Sequence, residues 1–489
     1  MKQNILLITL DQFRGDCLSI AGHPVVKTPN LDRLAQQGVR FTRHYSQSSP
    51  CSPGRASLYT GMYQMNHRVV ANGTPLDASF DNVALMARRS GYAPALFGYT
   101  DQSIDPRVTS SADDPRLSYY EGVLPGFDCV VDLTQNFDPW RTWLNSQGFK
   151  TDMSVIELLS TENERPASVS ASTFLTNELL SWVEEQETGW FAHASFIRPH
   201  PPYSAAGHFS TMYDPAEVGM PIAVADSVHP FHEIMLALDA TKAPTDPADL
   251  AHMRAQYFGM ITEVDAQLGR IWDALEASGQ WENTVILVTA DHAEMLGDHG
   301  LKEKVGYWET SQHIISIIRD PRHSVTHGTV VDRFTENVDI MPTLCDIVGQ
   351  PVSSQCDGLP LTPFLEGAEP PHWREAAYWE YDWRSSLIPV YPHNTPWKRH
   401  LDTMNLAVRR SDTHAYVQFA DGDWLCFDIA ADPTWRTETK DPAVVMREAQ
   451  AMLQWRMKNT NRTLTGFLVE DGGTGRWPTN VSWREGATN

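Results

Sequence analysis

Residues 284 to 292 read Thr284-Val285-Ile286-Leu287-Val288-Thr289-Ala290-Asp291-His292. An uninterrupted apolar run of this kind is typical of a strand in the middle of a parallel sheet, buried on both faces. Asp291 and His292 follow the run directly, and open α/β sheets bind ligands at the carboxyl ends of their strands. The stretch therefore predicts a fold class and a candidate site at the rim of the sheet, although an ordinary strand-end turn would also explain the pair.

The rest of the chain repeats an alternation of strands and helices. Buried strands are predicted at Asn4–Leu10, at 94–99 and at 190–196, and helices at 28–38 and at about 246–278. This alternation predicts an α/β fold in which a doubly wound, mostly parallel sheet carries helices on both faces.

Two regions depart from that pattern. Residues 101–170 carry many Pro, Asp and Trp and little periodicity, which predicts a long irregular insertion. Short alternating runs between 406 and 428, followed by a helical pattern at about 443–457, predict an antiparallel meander and a helix. We therefore expect a main domain over residues 1–400 and a small C-terminal α+β subdomain with a tail over residues 401–489.

The composition limits the partners and the compartment. A net charge of -23 argues against nucleic acid or an anionic membrane as a partner, because both require a basic surface. The six cysteines show no CxxC spacing, which favours a reduced protein over a disulfide framework. The apolar run after Met1 is too short to span a membrane and precedes no small-residue cleavage site. These features predict a cytoplasmic protein.

Cys51 lies between two prolines at the start of a predicted short helix. Pro53 is tolerated in a first helical turn, and Gly61 supplies a stop. Cys51 would then lie near a helix N-terminus, where free amides favour negative charge. A buried or disulfide-bonded structural cysteine is the alternative.

The predicted topology brings distant polar residues together. Asp11 ends the first strand, so a doubly wound sheet would place it at the same rim as Asp291 and His292. Two carboxylates and an imidazole suit a divalent metal of intermediate hardness, such as Mn²⁺ or Zn²⁺, better than an all-oxygen calcium site. Taken alone, Asp11 would be read as a turn or cap residue. The combination predicts a metal centre.

Three cations are candidates to bind an anionic ester. Arg55 lies one helical turn beyond Cys51, Lys304 follows the Asp291 segment, and His200 stands at a predicted strand end between prolines. Those prolines exclude a helix interior for His200, although a capping or solvated histidine is the alternative. A chain this acidic needs such a cationic pocket to hold an anion.

The motif Cys51-Ser52-Pro53-Gly54-Arg55, continued by Leu58, Thr60 and Gly61, resembles the signature of the sulfatases in the alkaline phosphatase superfamily. The likeness extends over nearly the whole chain through the Asp11 strand end, Thr28–Asp32, Pro199–Pro201, Asp291–Gly300, Val338–Thr343 and Phe427–Pro433. Further segments are similar to the branch of phosphonate monoester hydrolases and arylsulfatases: Asn66–Arg68, Asn72–Leu76, Gly98–Thr100 and Asp105–Arg107.

In that family the cysteine is converted after translation to formylglycine, whose hydrate is the nucleophile, and the resemblance implies this for Cys51. It also implies one divalent metal ion, Mn²⁺ in preference to Zn²⁺, Ca²⁺ or Mg²⁺, held by Asp11, modified Cys51, Asp291 and His292. Arg55 would hold the formylglycine. The substrate's oxyanion and leaving group would be surrounded by Asn72, Tyr99, His200 and Lys304.

Two positions favour the phosphonate branch over the typical sulfatases. Gln12 stands where many sulfatases have a second metal-binding Asp, and we assign it to the substrate side of the site. Tyr99 stands where typical sulfatases have a sulfate-binding Lys. Asp101, where that branch tends to have a hydroxyl residue, leaves the fine substrate preference open.

The resemblance therefore implies a promiscuous, metal-dependent formylglycine hydrolase of phosphonate monoesters, phosphate diesters and sulfate monoesters. The alternatives are a strict arylsulfatase or choline-sulfatase-like enzyme and, in another class, a catalytically silent metal-binding protein on the same fold. The expected partners are a small anionic ester and a formylglycine-generating maturation enzyme, but no nucleic acid or membrane. A homotetramer is expected, in which the tail at Leu464-Thr465-Gly466-Phe467 approaches a neighbour's site.

Overall fold

In the computed structural model, the described residues are 2–387, 401–460, 464, 467–471 and 473–476. The α-helices are Pro29–Gln36 (α1), Cys51–Thr60 (α2), Gln64–His67 (α3), Val83–Arg89 (α4), Asp138–Ser146 (α5), Val155–Ser160 (α6), Ala171–Glu184 (α7), Pro230–Ala237 (α8), Pro247–Ala277 (α9), Ile340–Ile347 (α10), Thr362–Leu365 (α11), Arg384–Leu387 (α12) and Pro442–Lys458 (α13). The strands are Asn4–Leu10 (β1), Val39–Tyr45 (β2), Ser48–Ser49 (β3), Pro94–Gly98 (β4), Asp128–Asp132 (β5), Phe191–Phe196 (β6), Thr284–Thr289 (β7), His313–Ile314 (β8), Ser316–Arg319 (β9), Thr329–Glu336 (β10), Ala376–Asp382 (β11), Asn405–Ser411 (β12), His414–Phe419 (β13), Trp424–Asp428 (β14), Phe467–Glu470 (β15) and Gly473–Arg476 (β16).

Within these ranges the main sheet has nine strands, in the order β10-β2-β9-β7-β1-β6-β4-β5, with β8 paired to β2. The run from β7 through β1, β6 and β4 to β5 is parallel. β10 is parallel to β2, whereas β9 runs antiparallel to both of its neighbours. The mostly parallel α/β fold predicted from the sequence is confirmed.

Helices cover both faces of this sheet. Successive residues of a strand point to opposite faces, and in β1 the side chains of Leu6 and Ile8 join a core that includes residues of α7 and α9. Ile5 and Leu7 join a second core with residues of α2, α4 and α10. Because β1 is apolar on both faces, it is buried in the centre of the sheet, as the sequence predicts.

The order of strands brings the candidate residues to one edge. β1 and β7 are parallel neighbours with Thr9 opposite Thr289, so Asp11 and Asp291 follow their strands at the same level. β6 pairs with β1 on the other side, with Leu10 opposite Phe196. The segment after β6, which contains His200, therefore leaves the sheet at this edge too.

A second sheet of five strands, counted over the same described ranges, has the order β14-β13-β12-β11-β3. Strands β11 to β14 are antiparallel, which confirms the predicted meander, and β3 adds to β11 in parallel. Residues of α13 pack on this sheet. The sheet includes β3 and β11, which precede residue 400, and the division of the chain at that residue stays a prediction.

Residues 101–170 are more regular than the sequence predicts. β5 extends the main sheet beside β4, and α5 and α6 follow it. The prediction of an irregular insertion was therefore wrong for these elements. β5 lies at the edge of the sheet with only Val131 buried, so it lacks the apolar run that marks the central strands.

No helix in the described part of the chain is both long and apolar enough to cross a membrane. Of the tail segment 464–467 that was expected to approach a neighbouring subunit, residues 465 and 466 lie outside the described residues.

Candidate active site

Cys51 is the first residue of α2, and the local sequence sets both ends of this helix. Gly61 follows the last helical residue in a left-handed conformation, with φ 69°, and donates its N–H to the carbonyl of Ser57. At the other end, Oδ1 of Asn72 accepts a hydrogen bond from the backbone N–H of Ser52 at 3.0 Å. This contact satisfies one of the free amides in the first turn. Cys51 therefore occupies the helix N-terminus predicted from the sequence.

Gly54 allows α2 to pack against the end of β7. A Cβ atom at this position would lie 2.5 Å from the carbonyl oxygen of Asp291 and 3.0 Å from that of Ser48. A larger residue would have to push the helix away from two backbone groups. The close approach brings Cys51 next to the residues that follow β7.

Four buried side chains meet here: Asp11, Cys51, Asp291 and His292. One possible ligand atom from each lies within 4.8 Å of all the others. Sγ of Cys51 is 3.3 Å from Nε2 of His292. The same nitrogen is 3.8 Å from Oδ1 of Asp11 and 3.6 Å from Oδ2 of Asp291. The structure thus brings together the four residues proposed as ligands.

This cluster fits a divalent cation. Oδ1 of Asp11 is buried and accepts no hydrogen bond within the part of the chain that the structure describes. Burying a carboxylate oxygen without a hydrogen bond costs free energy of folding unless a nearby cation compensates its charge. Two carboxylates, an imidazole and the side-chain ligand atom of residue 51 form a mixed donor set, which suits metals of intermediate hardness.

Arg55 contacts both carboxylates of the cluster. Its side chain is fully buried, and it donates from Nε to Oδ2 of Asp291 at 2.9 Å and from Nη2 to Oδ2 of Asp11 at 3.0 Å. Nη1 donates to Oγ of Ser195 at 2.8 Å, and the guanidinium lies over the ring of Tyr99, 4.4 Å from its centroid. One guanidinium therefore orients two carboxylates and neutralises one of their two charges, which leaves the pair negative toward a metal.

The local electrostatics prepare the cluster to bind a metal. Burial raises the pKa of Asp11, but neighbouring cationic groups, Arg55 and Lys304 among them, outweigh burial and hold that pKa well below its ordinary value. Burial lowers the pKa of His292. Burial, together with the charge of Asp11, raises the pKa of the Cys51 thiol well above its ordinary value. Unmodified Cys51 is therefore a protonated thiol and a poor nucleophile at neutral pH.

Lys304 and His200 form a second group beside the cluster. Nζ of Lys304 donates to Oε1 of Gln12 at 2.8 Å and lies 2.7 Å from Nε2 of His200 and 3.2 Å from Oε2 of Glu303. Burial lowers the pKa of Lys304, but surrounding negative groups, Glu303 among them, outweigh burial and raise it above its ordinary value. Lys304 is therefore an ammonium ion with three partners for its three N–H groups.

The other three predicted substrate residues each form a hydrogen bond with another residue of the chain. The hydroxyl of Tyr99 donates to Oδ2 of Asp11 at 2.7 Å. Gln12 is fully buried, and its amide nitrogen donates to the carboxylate of Glu294. Asn72 holds the first turn of α2. These contacts place Tyr99 and Asn72 beside metal-cluster residues and Gln12 beside Lys304, while their roles toward a substrate stay predictions.

The site also contains Glu294, Glu303 and Ser195, to which the sequence motifs assign no role. Glu294 directly follows the Asp291-His292-Ala293 segment, and Glu303 adjoins Lys304, so their positions in the chain offered a signal. Ser195 is a polar residue near the end of the buried strand β6. A polar side chain at that point of an apolar strand is the feature that could have pointed to the site.

Comparison with known families agrees with the fold. A sequence model of the sulfatase family matches residues 3–350, and a model described as N-sulphoglucosamine sulphohydrolase, C-terminal, matches residues 297–462. The chain therefore belongs to the sulfatase family of the alkaline phosphatase superfamily, a class of hydrolases that act on sulfate and phosphonate esters. The identification made from the Cys51 motif is confirmed.

Individual relatives place the chain within that family. It is 34% identical to a multifunctional alkaline phosphatase superfamily protein, PehA, of Trinickia caryophylli over 95% of this chain and 97% of the relative. The crystal structure of a phosphonate monoester hydrolase of Agrobacterium radiobacter matches with a TM-score of 0.89 and 41% identity, over 97% of this chain and 100% of that one. The phosphonate monoester hydrolase SpPMH from Silicibacter pomeroyi matches with a TM-score of 0.87 and 35% identity, over 98% and 100% of the two chains.

Proposed function

We propose that the protein is a metal-dependent formylglycine hydrolase that cleaves phosphonate monoesters, phosphate diesters and sulfate monoesters. The observation that carries the proposal is the position of Cys51, whose Sγ lies 3.3 Å from Nε2 of His292 inside a cluster that also contains Asp11 and Asp291. A modified side chain at this position would be both a metal ligand and the group nearest the substrate.

The names of the similar proteins support this range of substrates. Two of the matching structures are phosphonate monoester hydrolases, and PehA is described as multifunctional. These likenesses cover almost the whole chain, so they include the loops around the site as well as the sheet. Tyr99 supplies a neutral phenol where typical sulfatases have a cationic lysine, which also favours the phosphonate branch over a strict arylsulfatase or choline-sulfatase-like enzyme.

Asp11, Asp291, His292 and the modified residue 51 would hold one divalent ion, for which we propose Mn²⁺. When formed and loaded, the formylglycine hydrate and the ion would supply a nucleophilic hydroxyl and Lewis acidity at the ester's central atom. Arg55 would hold both carboxylates turned toward the ion, because its Nε and Nη2 each bind one of them.

Lys304 and His200 would serve the leaving group. Burial and the charge of Lys304 lower the pKa of His200. At neutral pH, Nζ of Lys304 therefore carries a proton that it can donate, whereas Nε2 of His200 carries none. The leaving oxygen becomes more basic as its bond to phosphorus or sulfur breaks, and a proton donated from Nζ would stabilise it. We assign Asn72, Tyr99 and Gln12 to the walls that orient the ester.

We further propose that a maturation enzyme modifies Cys51 and that the protein works in the cytoplasm as a homotetramer. The buried thiol supports the first point, because its raised pKa leaves unmodified Cys51 without useful reactivity. Sedimentation equilibrium of the full chain tests the oligomeric state, and a monomer would contradict it.

Mass analysis of the tryptic peptide 44–55 tests the function, because this peptide contains Cys51. We expect the thiol to be replaced by an aldehyde or its hydrate in the active protein. The same preparation, loaded with Mn²⁺, should hydrolyse an aryl phosphonate ester and an aryl sulfate side by side, and Cys51→Ser should not turn over. Activity on the sulfate alone would support the strict sulfatase, and an unmodified thiol with no metal-dependent hydrolysis would support a catalytically silent protein.

A further inference from the structure

His200 lies in a loop that has few backbone N–H groups to donate. The loop begins after β6 and contains Pro199, Pro201 and Pro202, none of which has a backbone N–H. Backbone N–H groups satisfy the carbonyls of Ile197 and Pro202, from His200 at 2.8 Å and from Ser204 at 2.9 Å, and other carbonyls need side-chain donors. The side chain of Arg198 donates to the carbonyl of His200 and adds a second hydrogen bond to that of Pro202.

All five N–H groups of the Arg198 side chain donate hydrogen bonds in this region. Nη1 donates to the carbonyl oxygens of His200 and Pro202, each at 2.8 Å. Nε donates to Oε2 of Glu162 at 3.0 Å, and Nη2 donates to the same carboxylate and to the carbonyl of Leu159 at 3.1 Å. The side chain of Arg198 is 0% exposed, so water does not substitute for any of these partners.

Glu162 fixes this guanidinium to the body of the fold. Its side chain is 1% exposed. Its second oxygen, Oε1, accepts a hydrogen bond from the backbone N–H of Ala171 at 2.9 Å. Ala171 is the first residue of α7, which packs on the main sheet. A continuous path of hydrogen bonds therefore runs from the start of α7 through Glu162 and Arg198 to the carbonyl of His200.

The position of the His200 ring depends on the position of the loop that carries it. Nδ1 lies 2.6 Å from the carbonyl of Pro201, and Nε2 lies 2.7 Å from Nζ of Lys304. A shift of the loop carbonyls would move both contacts together. We infer that Glu162 and Arg198 are positioning residues that set the geometry between His200 and Lys304, and hence the protonation of the leaving group.

This inference rests on the proposed function for the direction of its kinetic effect, because it assigns Lys304 and His200 to the leaving group.

The hydrogen bonds made by the side chain at position 198 require an arginine. A lysine at position 198 has one nitrogen with three donors and cannot reach the two loop carbonyls, the carbonyl of Leu159 and Oε2 of Glu162 together. Arg198→Lys and Glu162→Gln are therefore the informative changes. Arg409 and Glu448 form a matched buried ion pair in the C-terminal sheet and α13, so Arg409→Lys and Glu448→Gln are the controls.

The test compares two phenylphosphonate monoesters, one of phenol and one of 4-nitrophenol, with the metal-loaded, formylglycine-containing enzyme. We expect Arg198→Lys and Glu162→Gln to lower kcat for the phenyl ester at least tenfold more than for the 4-nitrophenyl ester, with little change in KM. The control pair should lower the melting temperature without this dependence on the leaving group. Equal losses for both esters, or no loss, would overturn the inference.

A crystal structure of Arg198→Lys separates this inference from the proposed function. We expect the distance between Nε2 of His200 and Nζ of Lys304 to exceed hydrogen-bond range in the variant, whereas an unchanged 2.7 Å contact would overturn the positioning role. If the wild-type enzyme hydrolyses neither ester, the proposed function fails while the structural comparison still decides the inference. Should Arg198→Lys not fold, Glu162→Gln keeps the guanidinium and takes its place in both measurements.

Discussion

Nζ of Lys304 lies 2.7 Å from Nε2 of His200. An ammonium has no lone pair, so it can only donate, and Nε2 must accept. The proton of the neutral imidazole is then on Nδ1, which faces the carbonyl of Pro201 at 2.6 Å. The two residues thus divide their tasks, with Lys304 holding the proton and His200 fixing the direction of Nζ.

Lys304→Met should therefore impair the departure of poor leaving groups. We expect kcat/KM for a phenyl phosphonate ester to fall by about 100- to 10,000-fold, the usual contribution of a positioned proton donor, and that for a 4-nitrophenyl ester to fall much less. Steady-state kinetics on both esters measure the difference. Lys302→Met, two positions away, is the control. An equal loss on both esters would show that Lys304 binds the substrate without serving the leaving group.

Tyr99→Phe should weaken metal binding. The hydroxyl of Tyr99 donates to Oδ2 of Asp11 at 2.7 Å and orients a carboxylate of the cluster. Loss of such a contact to a metal ligand typically costs about 10- to 100-fold in affinity. Calorimetric titration of the metal-free protein with Mn²⁺ measures this. Tyr59→Phe removes a hydroxyl that contacts Arg55 and His193 instead, and it should change the affinity less. The interpretation is wrong if the two variants bind Mn²⁺ equally well.

Gly54→Ala should displace α2 from the end of β7. The added Cβ would lie 2.5 Å from the carbonyl oxygen of Asp291, and overpacking of this kind costs about 1–3 kcal/mol of unfolding free energy. Gly259→Ala in α9 is the matched control, because its Cβ would lie 2.5 Å from the carbonyl oxygen of Phe209, away from the cluster. Both variants should be less stable in urea. Only Gly54→Ala should also lose affinity for Mn²⁺, and a similar loss in Gly259→Ala would argue against a local effect.

Glu263 in α9 should make stability depend on pH. Burial raises the pKa of Glu263 to about 7, with a further contribution from Glu162. The folded protein therefore holds the proton more tightly than the unfolded chain does. The stabilisation by the protonated carboxyl is complete below the unfolded pKa of about 4.3 and is lost as the pH rises toward 7.

Glu263→Gln removes this titration. Between pH 5 and pH 8 we expect the variant to lose about 2 kcal/mol less unfolding free energy than the wild type. Urea denaturation at a series of pH values provides the measurement, with Glu178→Gln as an exposed control. Parallel pH profiles for the wild type and Glu263→Gln would refute the assignment.

The sequence predicts the centre of the fold well and its edges poorly. β1 and β7 are uninterrupted apolar runs, and this pattern requires a strand covered on both sides, so the rim with Asp11 and Asp291 follows from the topology. β5 has only one buried residue and no comparable pattern, so the sequence gives no sign of it.

The limits of sequence reasoning at the site have a similar cause. The likeness to sulfatases names the residues nearest the reaction but not the partners that hold them. Arg198 reaches Glu162 and Arg55 reaches Ser195 only through the folded chain. Contacts of this kind depend on loop paths that no local pattern encodes, and they become visible only when the fold is known.

β3 consists of Ser48 and Ser49, which lie just before Cys51, and its partner is Glu380–Tyr381 in β11. His292 in turn comes 241 positions after Cys51. During synthesis, at roughly 5–20 residues per second, the cysteine segment leaves the ribosome tens of seconds before either neighbour exists. During translation, the segment around Cys51 is therefore an open peptide without these neighbours for an interval. That interval ends once β11 has been made.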